Sequence, residues 1–291
     1  MNTMSDFCVF ILTHGRANNV KTLNTLRRCG YTGKVYLIVD NEDSQIEEYK
    51  RIQDAETIVF DKAEEMRKTD TIDNFQKHGA VVYARNKCHE IAQKLGVKYF
   101  LELDDDYTDF EFRYENPQRF GLLTKSCRKL DKIFSAFIKF LDATGALTVA
   151  MAQGGDLIGG AQGGNWKKQL TRKAMNAFFC RADRPFKFLG SINEDVNAYT
   201  TLSQQGNLFF TVIRFVLIQT RTQSNEGGLT DIYLDLGTYV KSFYSVICAP
   251  SCVKIITMGH YHRRVHHKVV TENCYPKIIN QRYKKGGKNG R

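Results

Sequence analysis

Two hydrophobic rhythms alternate through the first third of the chain. Residues 7–12 form an unbroken apolar run of strand length, followed by the polar turn Thr13-His14-Gly15-Arg16. A helical stretch comes next, with Val20, Leu23 and Leu26 on one face and Gly30 closing it. Residues 35–39 read as a second buried strand, ending in Asp40-Asn41-Glu42-Asp43, and residues 57–60 as a third. Cys88, Ile91, Ala92 and Leu95 recur at i, i+3, i+4 and i+7, one apolar helix face with Gly96 as its stop. Residues 99–103 make a fourth strand and run into Asp104-Asp105-Asp106. Fully apolar strands alternating with amphipathic helices predict a parallel sheet covered on both faces. Such sheets bind ligands just beyond the carboxyl ends of their strands, where His14, Asp40 and the aspartate triplet fall.

The remainder is less regular. Leu130, Ile133, Phe134, Phe137, Ile138 and Leu141 predict an amphipathic helix. Residues 153–165 hold six glycines in thirteen positions, which requires irregular backbone. Strands are expected at residues 177–180, 208–211 and 253–257, and helices at 194–204 and 239–246. The most apolar window, residues 209–218, is short and carries Arg214, so it reads as a buried strand and not a membrane span.

Composition adds two constraints. The eight cysteines show no CxxC spacing and sit among apolar neighbours, so they read as reduced core residues and not as disulfides or a zinc site. Met1 to Phe7 lacks the basic start of a targeting signal. The net charge is +11, and residues 254–291 hold ten Lys or Arg against the single acid Glu272, which is +9 of it. Clustered cations gain affinity for a polyanion by releasing its counterions; the plain alternative is a solubilising tail. We read one domain over residues 1–280, with a nucleotide-binding half at 1–110, an acceptor half at 111–280, and a basic flexible tail at 281–291.

The chemistry begins with the aspartate triplet. Three adjacent carboxylates at a strand end repel one another, and a hard divalent cation would relieve that repulsion; a solvated acidic turn is the plain alternative. Ala84-Arg85-Asn86, then the strand ending in the triplet, resembles the central signature of GT-A glycosyltransferases, in which an Ala-Arg-Asn helix start precedes a DxD motif. The resemblance implies a GT-A (Rossmann-like) α/β fold with a mixed, mainly parallel sheet flanked by helices on both faces. It also implies a nucleotide-sugar donor, most simply a uridine diphosphate sugar, and Mn²⁺ or Mg²⁺ on Asp104 and Asp106. Asp40 would bond the nucleobase and Arg85 would face the diphosphate, with Thr13, His14, Arg16, Asn86, Asp104 and Asp105 completing the donor site.

Two further clusters follow. Asn193-Glu194-Asp195 stands where inverting GT-A enzymes carry an acidic pair at a helix start, so Asp195 is the expected base and Glu194 its competitor. Both acids also suit a helix N-terminus for purely structural reasons. Four of the seven histidines, His260, His262, His266 and His267, lie within eight residues. A late histidine is a metal ligand in many GT-A enzymes, and alternation puts His260, His262 and Arg264 on one face, but the segment also reads as a basic nucleic-acid patch. Gln153, Asp156, Gln223, Asn225, Arg263 and Arg264 are the groups suited to reading an acceptor.

The strings Val81-Val-Tyr-Ala-Arg-Asn86, Leu101-Glu-Leu-Asp-Asp-Asp-Tyr107, Asn193-Glu-Asp195 and Gly237-Thr-Tyr-Val-Lys-Ser-Phe-Tyr-Ser245 are similar to a narrower family, the TET/JBP-associated glycosyltransferases of bacteriophages. The likeness spans residues 7–276. It implies sugar transfer to a 5-hydroxymethylpyrimidine, most simply 5-hydroxymethylcytosine, in phage DNA within the cytoplasm of the infected host, with no membrane involved. A companion TET/JBP-type dioxygenase would supply the hydroxyl. Two other functions fit parts of the pattern: a GT-A enzyme acting on a protein, lipid or polysaccharide, and a non-catalytic nucleic-acid-binding module on a decayed transferase fold.

Overall fold

The computed structural model describes residues 5–73, 81–118, 121–220, 229–259 and 263–276, with backbone alone at 229–238. Its elements run β1 (Phe7–Leu12), α1 (Lys21–Arg28), β2 (Lys34–Asp40), α2 (Ile46–Lys50), β3 (Glu56–Phe60), α3 (Lys62–Lys68), α4 (Val82–Lys94) and β4 (Tyr99–Asp104). They continue with β5 (Tyr107–Glu115), β6 (Leu122–Ser126), α5 (Leu130–Thr144), β7 (Thr148–Ala152), α6 (Gly164–Lys168), β8 (Leu170–Thr171) and β9 (Ala177–Arg181). The last are α7 (Glu194–Gln204), β10 (Phe209–Gln219), α8 (Leu229–Cys248), β11 (Val253–Met258) and β12 (Arg264–Val269).

The fold is α/β. Its main sheet has the order β3-β2-β1-β4-β9-β7-β10-β5-β6, with β8 paired to β10, and β11 and β12 form a separate hairpin. The first four strands pair in parallel, as does β10 with β7. The antiparallel pairings set β5, β8 and β9 against the other seven strands of this sheet.

Strand alternation explains why β1 is apolar throughout. Phe7, Val9 and Ile11 face one core with α1 and α5, while Cys8, Phe10 and Leu12 face a second core with α4 and α7. Period-two side chains on a strand buried on both sides leave no position for a polar residue. Helix α5 packs Phe134 and Phe137 against Phe179 of β9, at ring-centroid distances of 5.3 and 4.8 Å. All eight cysteines are free thiols and seven of them are buried, as the sequence indicated. Among the described residues no helix is long and apolar enough to cross a membrane.

The parallel block brings the ends of β1, β2 and β4 to one edge of the sheet, and β7 ends there too. Helix α7 starts against that edge. Its N-cap, Asn193, takes the left-handed conformation (φ 54°) and donates from Nδ2 to the Lys241 carbonyl at 2.7 Å, pinning α7 to α8. Gly190 upstream has φ +88°, and a Cβ there would sit 2.5 Å from Asn197 Nδ2 and 2.8 Å from Tyr244, so only glycine fits.

Candidate active site

A cavity of about 1120 Å³ opens beyond these strand ends. It gathers Thr13, His14 and Arg16 after β1, Asp40 at the end of β2, Asp104–Asp106 after β4, and Glu194 and Asp195 at the start of α7. Arg85, Gln153, Asp156, Arg264, His266 and His267 also line it. Asn86 and Arg263 do not. His260, His262, Gln223, Asn225 and the tail at 281–291 lie outside the described residues.

The β1 loop is fastened by its own polar groups. Thr13 Oγ1 donates to Asp105 Oδ2 at 2.7 Å, and Arg16 Nη1 donates to Asp105 Oδ1 at 2.9 Å. The Arg16 amide donates to the Tyr49 hydroxyl at 2.7 Å, and the Gly15 amide to Asp43 Oδ2 at 2.7 Å. Asp105 therefore spends both oxygens holding the loop. His14 Nδ1 lies 2.7 Å from Asp40 Oδ2, and Lys62 Nζ lies 3.5 Å from Asp40 Oδ1. The hydrogen bond to Asp40 raises His14 above its ordinary pKa. Burial works to raise Asp40, but the bond and charge of His14, with Lys62, outweigh it and hold the carboxyl below its usual range.

Arg85 is the hub of the site. It lies in the first turns of α4, is 1% exposed, and sits over the rings of Phe178 and Phe188, 5.0 and 5.9 Å from their centroids. Its Nη2 donates to Asp104 Oδ1 and its Nε to Glu194 Oε1, each at 2.9 Å, and its Nη1 is 3.8 Å from Glu102 Oε2. Burial alone would weaken its charge, yet Asp104, Glu194 and Glu102 together hold its pKa well above the usual value. The guanidinium thus ties the end of β4 to the start of α7.

Glu102 was not anticipated as part of the site. It is fully buried at the same face of β4 as Asp104, two residues away, and neither oxygen has a hydrogen-bond partner among the described residues. Burial, against the pull of Arg85, pushes its pKa up to about 8, so it carries a proton near neutrality. The signal was present in Phe-Leu-Glu-Leu, an acid inside an otherwise apolar strand. Tyr107 was also missed; its hydroxyl donates to the Asn176 carbonyl at 2.8 Å beside Asp104. Tyr49, Lys62 and Asp43 had no distinguishing pattern.

Asn86 has a different task from its neighbour. Its Nδ2 donates to the Phe188 carbonyl at 3.0 Å and its Oδ1 accepts from the Phe188 amide at 2.8 Å, strapping the segment before α7 onto α4.

The residues fit a divalent cation. Asp106 accepts from Thr220 Oγ1 at 2.9 Å through Oδ2, while its buried Oδ1 has no hydrogen-bond partner among the described residues. Burial lifts Asp104 to about 6, with Arg85 opposing, so one guanidinium does not neutralise the local acid. His267 Nδ1 is likewise buried without a partner among the described residues, and burial lowers that imidazole to about 4, leaving it neutral and able to ligate. Among the described residues no three acid, histidine or cysteine side chains already converge on one point. That suits an ion completed by substrate oxygens, as Mg²⁺ commonly is.

The acidic pair on α7 divides in two. Glu194 is engaged by Arg85, whereas Asp195 accepts the Val196 amide on Oδ1 at 2.6 Å. Burial raises both carboxyls, which makes either a stronger base when ionised.

The sequence matches the family TET-Associated Glycosyltransferase over residues 7–228. This chain belongs to that family. No curated protein matches it. Among solved structures it is similar to S. aureus TarS 1–349, at 12% identity and a TM-score of 0.39, over 72% of this chain and 59% of that one. It therefore spans less than two thirds of that S. aureus chain. It is also similar to glucosyl-3-phosphoglycerate synthase from Mycobacterium tuberculosis, crystallised with Mn²⁺, uridine diphosphate and phosphoglyceric acid. There the identity is 8% and the TM-score 0.45, over 92% of this chain and 90% of that one. A putative nucleotide-diphospho-sugar transferase from Desulfovibrio desulfuricans gives 8% identity and a TM-score of 0.39, over 81% and 96%.

Proposed function

We propose that this glycosyltransferase moves a sugar from a nucleotide-sugar, most simply a uridine diphosphate sugar, to the hydroxyl of a 5-hydroxymethylpyrimidine in DNA. The preferred acceptor is 5-hydroxymethylcytosine in phage DNA, in the cytoplasm of the infected host, after a TET/JBP-type dioxygenase has installed the hydroxyl. One observation carries the reading: the acids after β4 and the acids that open α7 meet in a single cavity.

In this scheme residues 1–110 hold the donor and 111–280 the acceptor. Asp40, with His14 and Lys62 around it, presents an acceptor oxygen to the nucleobase. Asp104 and Asp106 would hold Mn²⁺ or Mg²⁺, with His267 the histidine best placed among those described. When bound, that ion supplies positive charge against the departing diphosphate. Arg85 fixes Asp104 in place, so its effect on the diphosphate runs through that carboxylate. Asp195 takes the proton from the acceptor hydroxyl, while Glu194 balances Arg85. Inversion at the anomeric carbon is the outcome expected from the acidic pair that opens α7. The positive charge of residues 254–291 supports a polyanionic acceptor.

The test is incubation with hydroxymethylated DNA, Mn²⁺ and a panel of nucleotide sugars, followed by mass spectrometry of the nucleosides. A hexose-sized mass gain on the modified pyrimidine is expected. No gain with any donor would redirect the activity to a protein, lipid or polysaccharide acceptor.

A further inference from the structure

The acceptor base identified above has to reach a carboxylate that is almost closed off. Asp195 is 6% exposed and Glu194 5%, at the inner wall of the cavity. A hydroxymethyl group projects only a short way into the major groove, so contact with a carboxylate this enclosed calls for the nucleotide to leave the helix. The gap it leaves costs stacking energy unless a side chain fills it, and apolar side chains are the usual fillers.

The rim of the same cavity carries such a side chain. Ile158 is 71% exposed, the most exposed of the large hydrophobic residues described. Its neighbours are anchored. Leu157 and Ala161 pack on the buried Trp166, whose Nε1 donates to Glu115 at 2.7 Å. Before it, Gln153 and Asp156 form a reciprocal capping box around a 3₁₀ turn at Gly154–Leu157. After it, Gly159 has φ +88°, and a Cβ on Gly163 would lie 2.5 Å from the Ile158 carbonyl. The loop is therefore tightly folded on itself, and it holds out one β-branched apolar group that remains 71% exposed. Exposed Lys167 and Lys168 of α6 follow within ten residues, and Lys168 lines the cavity. Inside the rim, Gln153 uses its amide oxygen in the capping box, while the buried Nε2 has no partner among the described residues. That leaves a donor for a base-edge acceptor.

We propose that Ile158 is a wedge that enters duplex DNA in place of the extruded acceptor nucleotide, with Lys168 on the adjacent phosphates and Gln153 Nε2 donating to the extruded base. This rests on the DNA-acceptor reading above. A wedge matters only where there is a stack to hold open, so its removal penalises duplex DNA and spares single strands by comparison. The experiment compares sugar transfer to the same hydroxymethylated oligonucleotide as a duplex and as a single strand, with 2-aminopurine beside the target as a reporter of unstacking. In Ile158→Ala the duplex-to-single-strand rate ratio should fall at least tenfold, with a weaker fluorescence rise on duplex binding. Ile158→Phe should keep both near wild type. An unchanged ratio in Ile158→Ala, or an equal loss on both substrates, overturns the wedge while leaving the DNA reading intact. Wild-type protein that modifies neither form defeats the DNA reading itself, and the wedge with it.

Discussion

The loops after β1 and β2, together with Asp105, treat their polar atoms differently from Asp106 and the elements that face them across the cavity. On the first side Thr13 and Arg16 both bind Asp105 and both meet the Tyr49 hydroxyl, and His14 and Lys62 converge on Asp40. On the other side, among the described residues, Gln153 Nε2 and His267 Nδ1 are buried without partners, and Asp106 Oδ1, next to Thr220 and Gln219, is too. Leaving such an atom unpaired costs about 1–3 kcal/mol unless a ligand satisfies it. The first side is organised before any substrate arrives. The second is completed by what it binds.

The largest effect tests the second side. Asp106→Ala removes the unpartnered oxygen and should cut transfer on the order of 10³-fold, the scale of losing a principal electrostatic contact in an active site. DNA affinity, read by filter binding or anisotropy, should stay near wild type. If affinity falls as far as activity does, Asp106 is structural. Next in size is the hub between the two sides. Arg85→Met leaves Asp104, Glu194 and Glu102 without their shared cation, which should cost about 3–5 kcal/mol in denaturant unfolding. A loss below about 1 kcal/mol would mean that the carboxyls simply take up protons and that the hub carries little.

A smaller effect sharpens the comparison from a place away from the cavity. His89 on α4 is buried between Phe100 and Phe186, with ring centroids 4.9 and 5.3 Å away, and neither nitrogen has a partner among the described residues. Burial first, then Lys187, lowers its pKa from 6.5 to about 4. The folded imidazole is neutral where the unfolded one begins to charge, so its contribution is fully present above pH 6.5. It fades as pH falls from 6.5 towards 4, by about 3 kcal/mol in all. Melts of His89→Phe across that range should lose this component of acid sensitivity. An identical pH profile in the variant would rule the assignment out.

How much of this was legible depended on the kind of residue involved. Strand β1 was read to the residue because an apolar run bounded by a polar turn has few alternatives, and α7 was read at Glu194–Gln204 from its acidic start. Strand β7, Thr-Val-Ala-Met-Ala, escaped because alanine and methionine carry little strand signal, and its identity comes from pairing with β9 and β10. Strand β5 was hidden by its acids and arginine. Helix α8 proved far longer than residues 239–246, because Gly237 reads as a stop but is tolerated inside a helix at a cost of about 1 kcal/mol. In the site, the clustering of Asp40, Asp104 and Asp195 followed from strand ends and a helix start. The partnership of Arg85 with Glu194 was not accessible, since 109 positions of chain separate them and only the completed sheet brings them together.

The Arg85 contact bears on whether this molecule can be cut into modules. A fragment ending before β9 would expose the edge of β4 and strand a guanidinium in a core with no counterpart from α7. A fragment beginning after β4 would keep Glu194 and lose the positive charge that makes its interior position tolerable. Transplanting the first 110 residues alone would therefore part Arg85 from Glu194; a graft would have to carry the opening of α7 along with it.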